Sequence, residues 1–374
     1  MAKKTAIVIG AGIVGLATAR ALALKGYAVD VYERHFKASG ASVRNFGMIW
    51  PVGQPAGKLY NRAIASRNIW KEIGNSSELW YDPVGSLHLA YNKEEWQVLQ
   101  ELFEVFQREG REIQLLNKEQ VCKKSIVARK ENCLGGLFSS EEIIVDPREA
   151  IAYLPKYFSE TLNIRFHWGK TVTAVKTGSI QIGMESLTAD QIFICSGSDF
   201  ETLYPEQFAK FPLTKCKLQM MRLTLEGMPR IGPAVCGGLS LIHYNSFKAA
   251  ASLDILKRRY QEEMPDHLKW GIHVMISQNQ LGELTVGDSH EYGLSPDPFD
   301  KKCINDLILD YLSKFTSLRS PVTIETWNGI YGKFTTDLNE LLFSPEPEVF
   351  IINGVGGNGM TMSFGLSKEF IDSI

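Results

Sequence analysis

The chain has 374 residues, 44% hydrophobic and 22% charged, and its 40 Lys+Arg against 42 Asp+Glu leave a formal net charge of −2. That length accommodates two domains with cores of ordinary size, and the balanced charge supplies no basic field for nucleic acid. Six cysteines (Cys122, Cys133, Cys195, Cys216, Cys236, Cys303) contain no C-x-x-C pair, which fits buried free thiols in a reducing cytosol better than a disulfide framework or a zinc site; no metal is expected.

Thr5 to Ile9 is an apolar, partly β-branched run that leads directly into Gly10-Ala11-Gly12-Ile13-Val14-Gly15, and Leu16 to Lys25 continues with helix-forming Ala and Leu. The order is strand, tight turn, helix. In such a turn the first glycine permits the sharp bend, the second leaves no Cβ between backbone and a pyrophosphate, and the third lets helix and strand pack closely. The helix N-terminus offers unpaired N–H groups and about half a positive charge to an anion. Gly26 ends the helix, Tyr27 to Tyr32 reads as a second strand, and Glu33 stands near the roughly 20-residue offset of a carboxylate that holds a ribose. Together these features predict nucleotide binding, with FAD and NAD both open. Lys3-Lys4 before an apolar run also resembles a signal peptide, but the glycine spacing, Arg20 within the apolar face and the immediate second strand explain the same residues as a nucleotide fold. No run approaches the ~20 apolar residues of a membrane span, and the expected location is the cytoplasm.

The segment Ala38 to Pro51 is rich in small residues and hydroxyls, which suits either a loop laid along a long cofactor or an ordinary polar loop. Gly57 to Glu72 reads as a helix, Leu79 to Leu89 as strand, and Glu94 to Glu112 as an amphipathic helix entering a second domain. Asp146-Pro147 precedes a helix from Arg148 to about Leu162; strands follow at Ile164 to Trp168, Thr171 to Lys176 and Ala189 to Cys195, the last ending in small residues at Ser196-Gly197-Ser198. From Lys217 the pattern predicts longer strands, Leu218 to Leu225, Gly271 to Gln278 and Gly282 to Asp288, with few helices apart from Phe299 to Phe315. Glu348 to Ile352 is a last strand, followed by Asn353 to Ser363 and a terminal helix. Gly354, Gly356 and Gly359 formally repeat the glycine motif, but only fifteen residues follow, too few for a second dinucleotide fold. The expectation is a glycine-rich helix N-terminus aimed at an electron-rich ring such as isoalloxazine.

The glycine turn with Glu33-Arg34, the Ser39-Gly40-Ala41-Ser42 to Gly47-Met48 loop, Asp146-Pro147, Ile194-Cys195-Ser196-Gly197 and Gly356-Gly357-Asn358-Gly359-Met360-Thr361 together resemble the D-amino-acid oxidase / glycine oxidase family of flavoproteins, in order over nearly the whole chain. The resemblance implies an α/β architecture: a Rossmann-like FAD-binding domain from 1–78, 142–213 and 326–374, and a mixed-sheet α+β substrate domain from 79–141 and 214–325. By the same resemblance the FAD-binding residues include Gly12, Ile13, Val14 and Gly15 at the pyrophosphate and Glu33 at the adenosine ribose, with Gly10 and Arg34 also at the cofactor. Ser42 meets the phosphates and Val172 the adenine through its backbone, Ala41, Arg44 and Asn45 also touch the cofactor, Phe46, Gly47 and Met48 border the flavin, and Ser196 and Gly197 sit at a strand end. Gly356, Gly357, Asn358, Gly359, Met360 and Thr361 border the flavin from the other side. The flavin is expected to be held without a covalent bond, because no cysteine follows Cys303.

Leu284 to Tyr292, with Gln278-Asn279, resembles a subgroup associated with aminophosphonate breakdown. The family's α-amino-acid oxidases carry W-x-x-x-R, whose arginine clamps a carboxylate; here Trp327-Asn328-Gly329-Ile330 leads to Tyr331. Tyr331, Lys333 and His290 are therefore the candidate catalytic residues, with His243 a further candidate for the site. The implied reaction passes hydride from the α-C–H of a small primary or secondary amine to flavin N5, after which the imine hydrolyses and oxygen or another acceptor takes the electrons. 2-Aminoethylphosphonate or its N-methyl form is the expected substrate. The alternative is a D-amino-acid, glycine or sarcosine oxidase or dehydrogenase, and a third reading is a flavin-binding protein without catalysis. Gly287-Asp288-Ser289-His290 also resembles the G-D-x-x-H of aromatic hydroxylases, but Gly354 comes 66 residues after Asp288 where about ten are required, and that reading is rejected.

Overall fold

The computed structural model describes residues 3–374. A six-stranded sheet runs in the order Leu341–Glu346, Val349–Asn353, Gln191–Ile194, Thr5–Ile9, Ala28–Glu33, Arg165–Trp168. Every pairing in it is parallel except that of the edge strand Leu341–Glu346. The central strands are continuous apolar runs because both faces are covered. One face packs against the helices Ile13–Leu24, Pro147–Leu162 and Gly359–Ser373, through Val8, Leu16, Leu154, Phe193 and Phe364. The other meets Val172, Ile180 and Phe200 under a three-stranded hairpin sheet over 174–188.

The second sheet contains nine mostly antiparallel strands, from Glu291–Tyr292 through Leu213–Thr224, Leu284–Gly287, Met275–Gln278, Ala234–Cys236, Ser86–Ala90 and Gly135–Ser139 to Ile113–Asn117. Val322–Phe334 pairs along Leu213–Thr224 to make a long ribbon. The helices Lys93–Arg108, Leu253–Glu263 and Lys302–Phe315 cover this sheet through Leu99, Phe106, Leu256, Tyr260, Ile308 and Phe315. One end of the ribbon is rooted here through Met221 and Leu223, and the other reaches the nucleotide-sheet core at Phe334. The expected domain boundaries at 213/214 and 325/326 lie within this continuous ribbon.

Local signals account for the helix ends. Asp146 caps Pro147–Leu162 by accepting from Arg148 N at 2.9 Å, Pro147 occupies the first helical position, and Asn163 closes the helix in the left-handed region. Asn92 caps Lys93–Arg108 by accepting from Glu95 N at 2.9 Å.

Several expected elements differ. Gly271 to Gln278 and Gly282 to Asp288 shorten to Met275–Gln278 and Leu284–Gly287, since Gly271 and Gly282 both take positive φ and turn the chain. The block expected to hold few helices also contains Leu253–Glu263, Pro265–Lys269 and two 3-10 turns over 238–249. The cysteines are all free, but Cys303 is exposed and Cys122 partly so, against the expectation of uniformly buried thiols.

Candidate active site

The glycine turn works as a set of close approaches. Gly10 has φ +104°, and a Cβ there would overlap the Cys195 carbonyl oxygen; a Cβ on Gly15 would overlap the Gly10 carbonyl oxygen. Gly12 differs. Its φ of −72° suits any residue, and its added Cβ would meet only Ser42 Oγ, at 3.1 Å. The requirement at Gly12 is therefore room beside the turn. Ser42 Oγ accepts from Ile13 N at 2.9 Å, and Glu33 Oε2 accepts from Ala11 N at 2.9 Å, which ties the turn to both flanking segments. Arg34 is ion-paired with Asp199.

A cavity of about 1080 Å³ opens from this turn. One end is lined by Glu33, Arg34, Lys170 and Val172, the middle by Gly10 to Val14 and the loop 38–46, and the far end by Gly356 to Thr361 and a group of aromatic side chains. The helices Ile13–Leu24 and Gly359–Ser373 both start at this cavity, and neither has a side-chain cap from its N-cap residue. Two helix N-termini in one elongated cleft fit FAD: one for the pyrophosphate, the other for the carbonyl edge of the ring. The second is held firmly. Trp70 Nε1 donates to Met360 O at 2.9 Å, Trp50 N to Thr361 Oγ1 at 2.9 Å, and Gln54 Nε2 to Asn358 Oδ1 at 3.1 Å.

Of the residues expected at the cofactor, Gly10, Gly12, Ile13, Val14, Glu33, Arg34, Ala41, Ser42, Arg44, Asn45, Phe46, Met48, Val172, Ser196, Gly197 and Gly356 to Thr361 all line the cavity. Gly15 and Gly47 do not. Gly15 serves the helix–strand contact, and Gly47, at φ +70°, packs where a Cβ would overlap the Val145 carbonyl oxygen. Asn45 braces its own loop: its Nδ2 donates to Ala41 O and Ser42 O, and its Oδ1 accepts from Gly47 N.

At the far end the ribbon strand Val322–Phe334 presents Tyr331 and Lys333, two residues apart and so on one face. Tyr331 OH stands 3.3 Å from where a Cβ on Gly357 would lie. Lys333 Nζ donates to Tyr292 OH at 3.3 Å and lies 5.1 Å from the Tyr292 ring centre. Arg44 Nη1 donates to the Asn328 carbonyl at 3.1 Å.

His243 and His290, both expected candidates, meet here and are joined by His273, which sequence reasoning passed over. Their ring centres lie 3.8 Å (243–273), 4.8 Å (243–290) and 5.2 Å (273–290) apart. His290 Nδ1 lies 2.9 Å from the Gly271 carbonyl, so it is the donor and Nε2 is left as an acceptor. Burial holds His290 down at about 4 and pushes His273 well below the usual imidazole range. The same desolvation raises Asp288 far above the usual carboxylate range. Trp50, Gln54, Tyr244, Met275 and Asp288 also line the cavity without having been singled out as site residues; Asp288 stood in view only within the Leu284 to Tyr292 stretch and the rejected hydroxylase motif.

Residues 5–373 match the family model described as DAO, FAD dependent oxidoreductase. Among solved structures, an L-proline dehydrogenase from P. horikoshii is similar with a TM-score of 0.81 at 18% identity, covering 99% of this chain and 92% of that one. A glycine oxidase from Geobacillus kaustophilus is similar at 0.77 and 15% identity, covering 99% and 94%. These likenesses show the fold. A tRNA 5-methylaminomethyl-2-thiouridine biosynthesis bifunctional protein from Nitrosospira multiformis is 26% identical over 273 residues, which is 63% of this chain and 41% of that protein, so the match spans under half the relative's length. With the family model matched from Thr5 to Ser373, the chain belongs to the DAO family of FAD-dependent oxidoreductases.

Proposed function

We propose that this enzyme oxidises a small amine bearing an anionic group, with an aminophosphonate such as 2-aminoethylphosphonate or its N-methyl form as the preferred substrate. The carrying observation is the pair Tyr331 and Lys333 on one face of the ribbon strand, with Tyr331 against the Gly356 to Thr361 loop and Lys333 on Tyr292. FAD, when bound, accepts hydride from the carbon that bears the nitrogen. The chain's own residues do the rest. Lys333 supplies a positive charge for the substrate's anion, and the Tyr331 and Tyr292 hydroxyls supply hydrogen bonds to its oxygens. A phosphonate carries up to two charges and three acceptor oxygens, which this set can satisfy without a planar guanidinium fork. His290 lines the same end of the cavity and contributes to its shape around the amine. Trp50, Tyr244 and Met275 exclude water from the reacting carbon. The assignment of 1–78, 142–213 and 326–374 to cofactor, and of 79–141 and 214–325 to substrate, goes with this reading.

An α-amino carboxylate is the second reading, favoured by the same lysine, which can pair with a carboxylate. The test is anaerobic bleaching of the flavin, then kcat/KM for glycine, D-alanine, sarcosine and the two phosphonates with wild type, Lys333→Ala and Tyr331→Phe. Loss of a charge-assisted hydrogen bond costs on the order of 1.5–3 kcal/mol, so Lys333→Ala should lower phosphonate kcat/KM about tenfold or more. Should glycine or D-alanine outrun both phosphonates, the aminophosphonate reading falls and amine oxidation stands; a flavin that no amine bleaches removes both.

A further inference from the structure

The three histidines come from separate elements: His243 follows the 3-10 turn Gly238–Ile242, His273 precedes the strand Met275–Gln278, and His290 follows Leu284–Gly287. One nitrogen from each lies within 4.8 Å of the other two. The polar atoms around them are poorly served by the protein itself. His273 Nδ1 is buried with no hydrogen-bond partner, and so is Asp288 Oδ1, although these residues are only 3% and 4% exposed. Asp288 Oδ1 lies 3.0 Å from His273 Nε2 without an aligned hydrogen bond. A buried polar atom left bare is costly, and two in one cluster point to a group that completes it.

The orientations suit a cation. A metal-bound histidine commonly gives its other ring N–H to a carboxylate or a backbone carbonyl. His290 has the Gly271 carbonyl on Nδ1, leaving Nε2 free, and His273 has Asp288 beside Nε2, leaving Nδ1 free. Zinc–nitrogen bonds of about 2.0–2.1 Å place tetrahedral ligands roughly 3.4 Å apart, so ring rotations of about an ångström draw the cluster onto an ion. Imidazole ligands select first-row transition ions over Mg²⁺ or Ca²⁺, which take oxygen.

We propose that His243, His273 and His290 bind one divalent first-row transition-metal ion at the substrate end of the cavity, with Asp288 orienting His273 and an open coordination position facing the cavity. Three protein ligands with a vacant fourth position is the arrangement that lets an ion hold a small molecule's oxygen. The ion therefore anchors the substrate's anionic group beside Lys333, a role that rests on the amine-oxidation reading above. It acts as a charge and takes no part in electron transfer. This departs from the sequence expectation of no metal, which considered cysteine spacing alone.

The test uses the FAD-loaded enzyme, stripped with a chelator, given one equivalent of Zn²⁺ or Co²⁺ and desalted. Elemental analysis should give a metal-to-flavin ratio near one for wild type, and less than about a tenth of that for His273→Ala and His290→Gln, with flavin content unchanged. Co²⁺ should add d–d absorption to the red of the flavin bands in wild type only. Should either variant lose flavin, His243→Gln, altered at the cavity wall, takes its place. A wild-type enzyme that retains no metal, or variants that retain as much as wild type, overturns the site. Amine bleaching is read in parallel: bleaching without stoichiometric metal removes the metal site and leaves amine oxidation standing, whereas bound metal with no bleaching by any amine does the reverse. Removing the ion should raise KM more than it lowers kcat; an unchanged KM removes the anchoring role.

Discussion

Glu142 is fully buried beside the strand Ser86–Ala90; its carboxyl accepts from Val52 N at 2.9 Å and from Ser86 Oγ at 2.8 Å. Burial pushes its pKa from 4.5 up to about 7. A carboxyl that holds its proton more tightly folded than unfolded gives stability that is complete below pH 4.5 and is lost as pH rises towards 7. The loss is about 1.4 kcal/mol per pH unit across that window, or ~3 kcal/mol between pH 5 and 7. Glu142→Gln does not titrate, and its amide can still accept from Val52 N while donating to Ser86 Oγ. At the usual unfolding entropy per residue, ~3 kcal/mol in 374 residues shifts Tm by roughly 4 °C. The Tm of FAD-loaded wild type minus that of Glu142→Gln should therefore fall by about this amount from pH 5 to pH 7, followed by flavin release on heating. Parallel pH profiles for the two proteins would refute the reasoning, because then Glu142 ionises alike in both states.

Gly12→Val should yield a folded protein without FAD: its backbone angles suit a side chain, while the branched methyls fill the space beside Ser42; flavin absorbance at wild-type level would contradict this. Acid precipitation should leave all the flavin in the supernatant, and yellow in the pellet would mean a covalent link. Arg62 is buried and bonded through Nε and Nη2 to Glu369 Oε2 at 3.1 and 2.8 Å, clamping Lys58–Asn75 to Gly359–Ser373. Glu369→Ala leaves that guanidinium short of a partner and should destabilise by about 1–3 kcal/mol in urea unfolding, the carboxylate being partly exposed.

The nucleotide half was legible because its signals are local. A strand, a glycine turn, a helix and a carboxylate follow one another within thirty residues, and each step has a steric reason. The same holds for Asp146-Pro147, a cap readable from two residues. The other end of the cavity was only partly legible. Tyr331 and Lys333 were found through a departure from a motif, but the histidines sit 30 and 17 residues apart and share no period, so only the folded sheet brings them together. The apolar, β-branched Ile272 and Val274 extended the expected strand beyond its hydrogen-bonded length, because sequence pattern reports burial and does not distinguish a paired strand from a buried loop.

The ribbon of Leu213–Thr224 and Val322–Phe334 gives the molecule a division of labour. Tyr331 sits opposite Cys216 and Lys333 opposite Thr214, at alternate positions along a ribbon whose root lies in one core and whose tip lies in another. On the proposed reading, exchanging those two side chains would alter what the pocket recognises without moving a single glycine of the cofactor turn. Inserting one residue upstream turns both to the opposite face and puts Ile330 and Gly332 at their positions. On that reading substrate choice would be free to drift by point substitution and closed to drift by insertion.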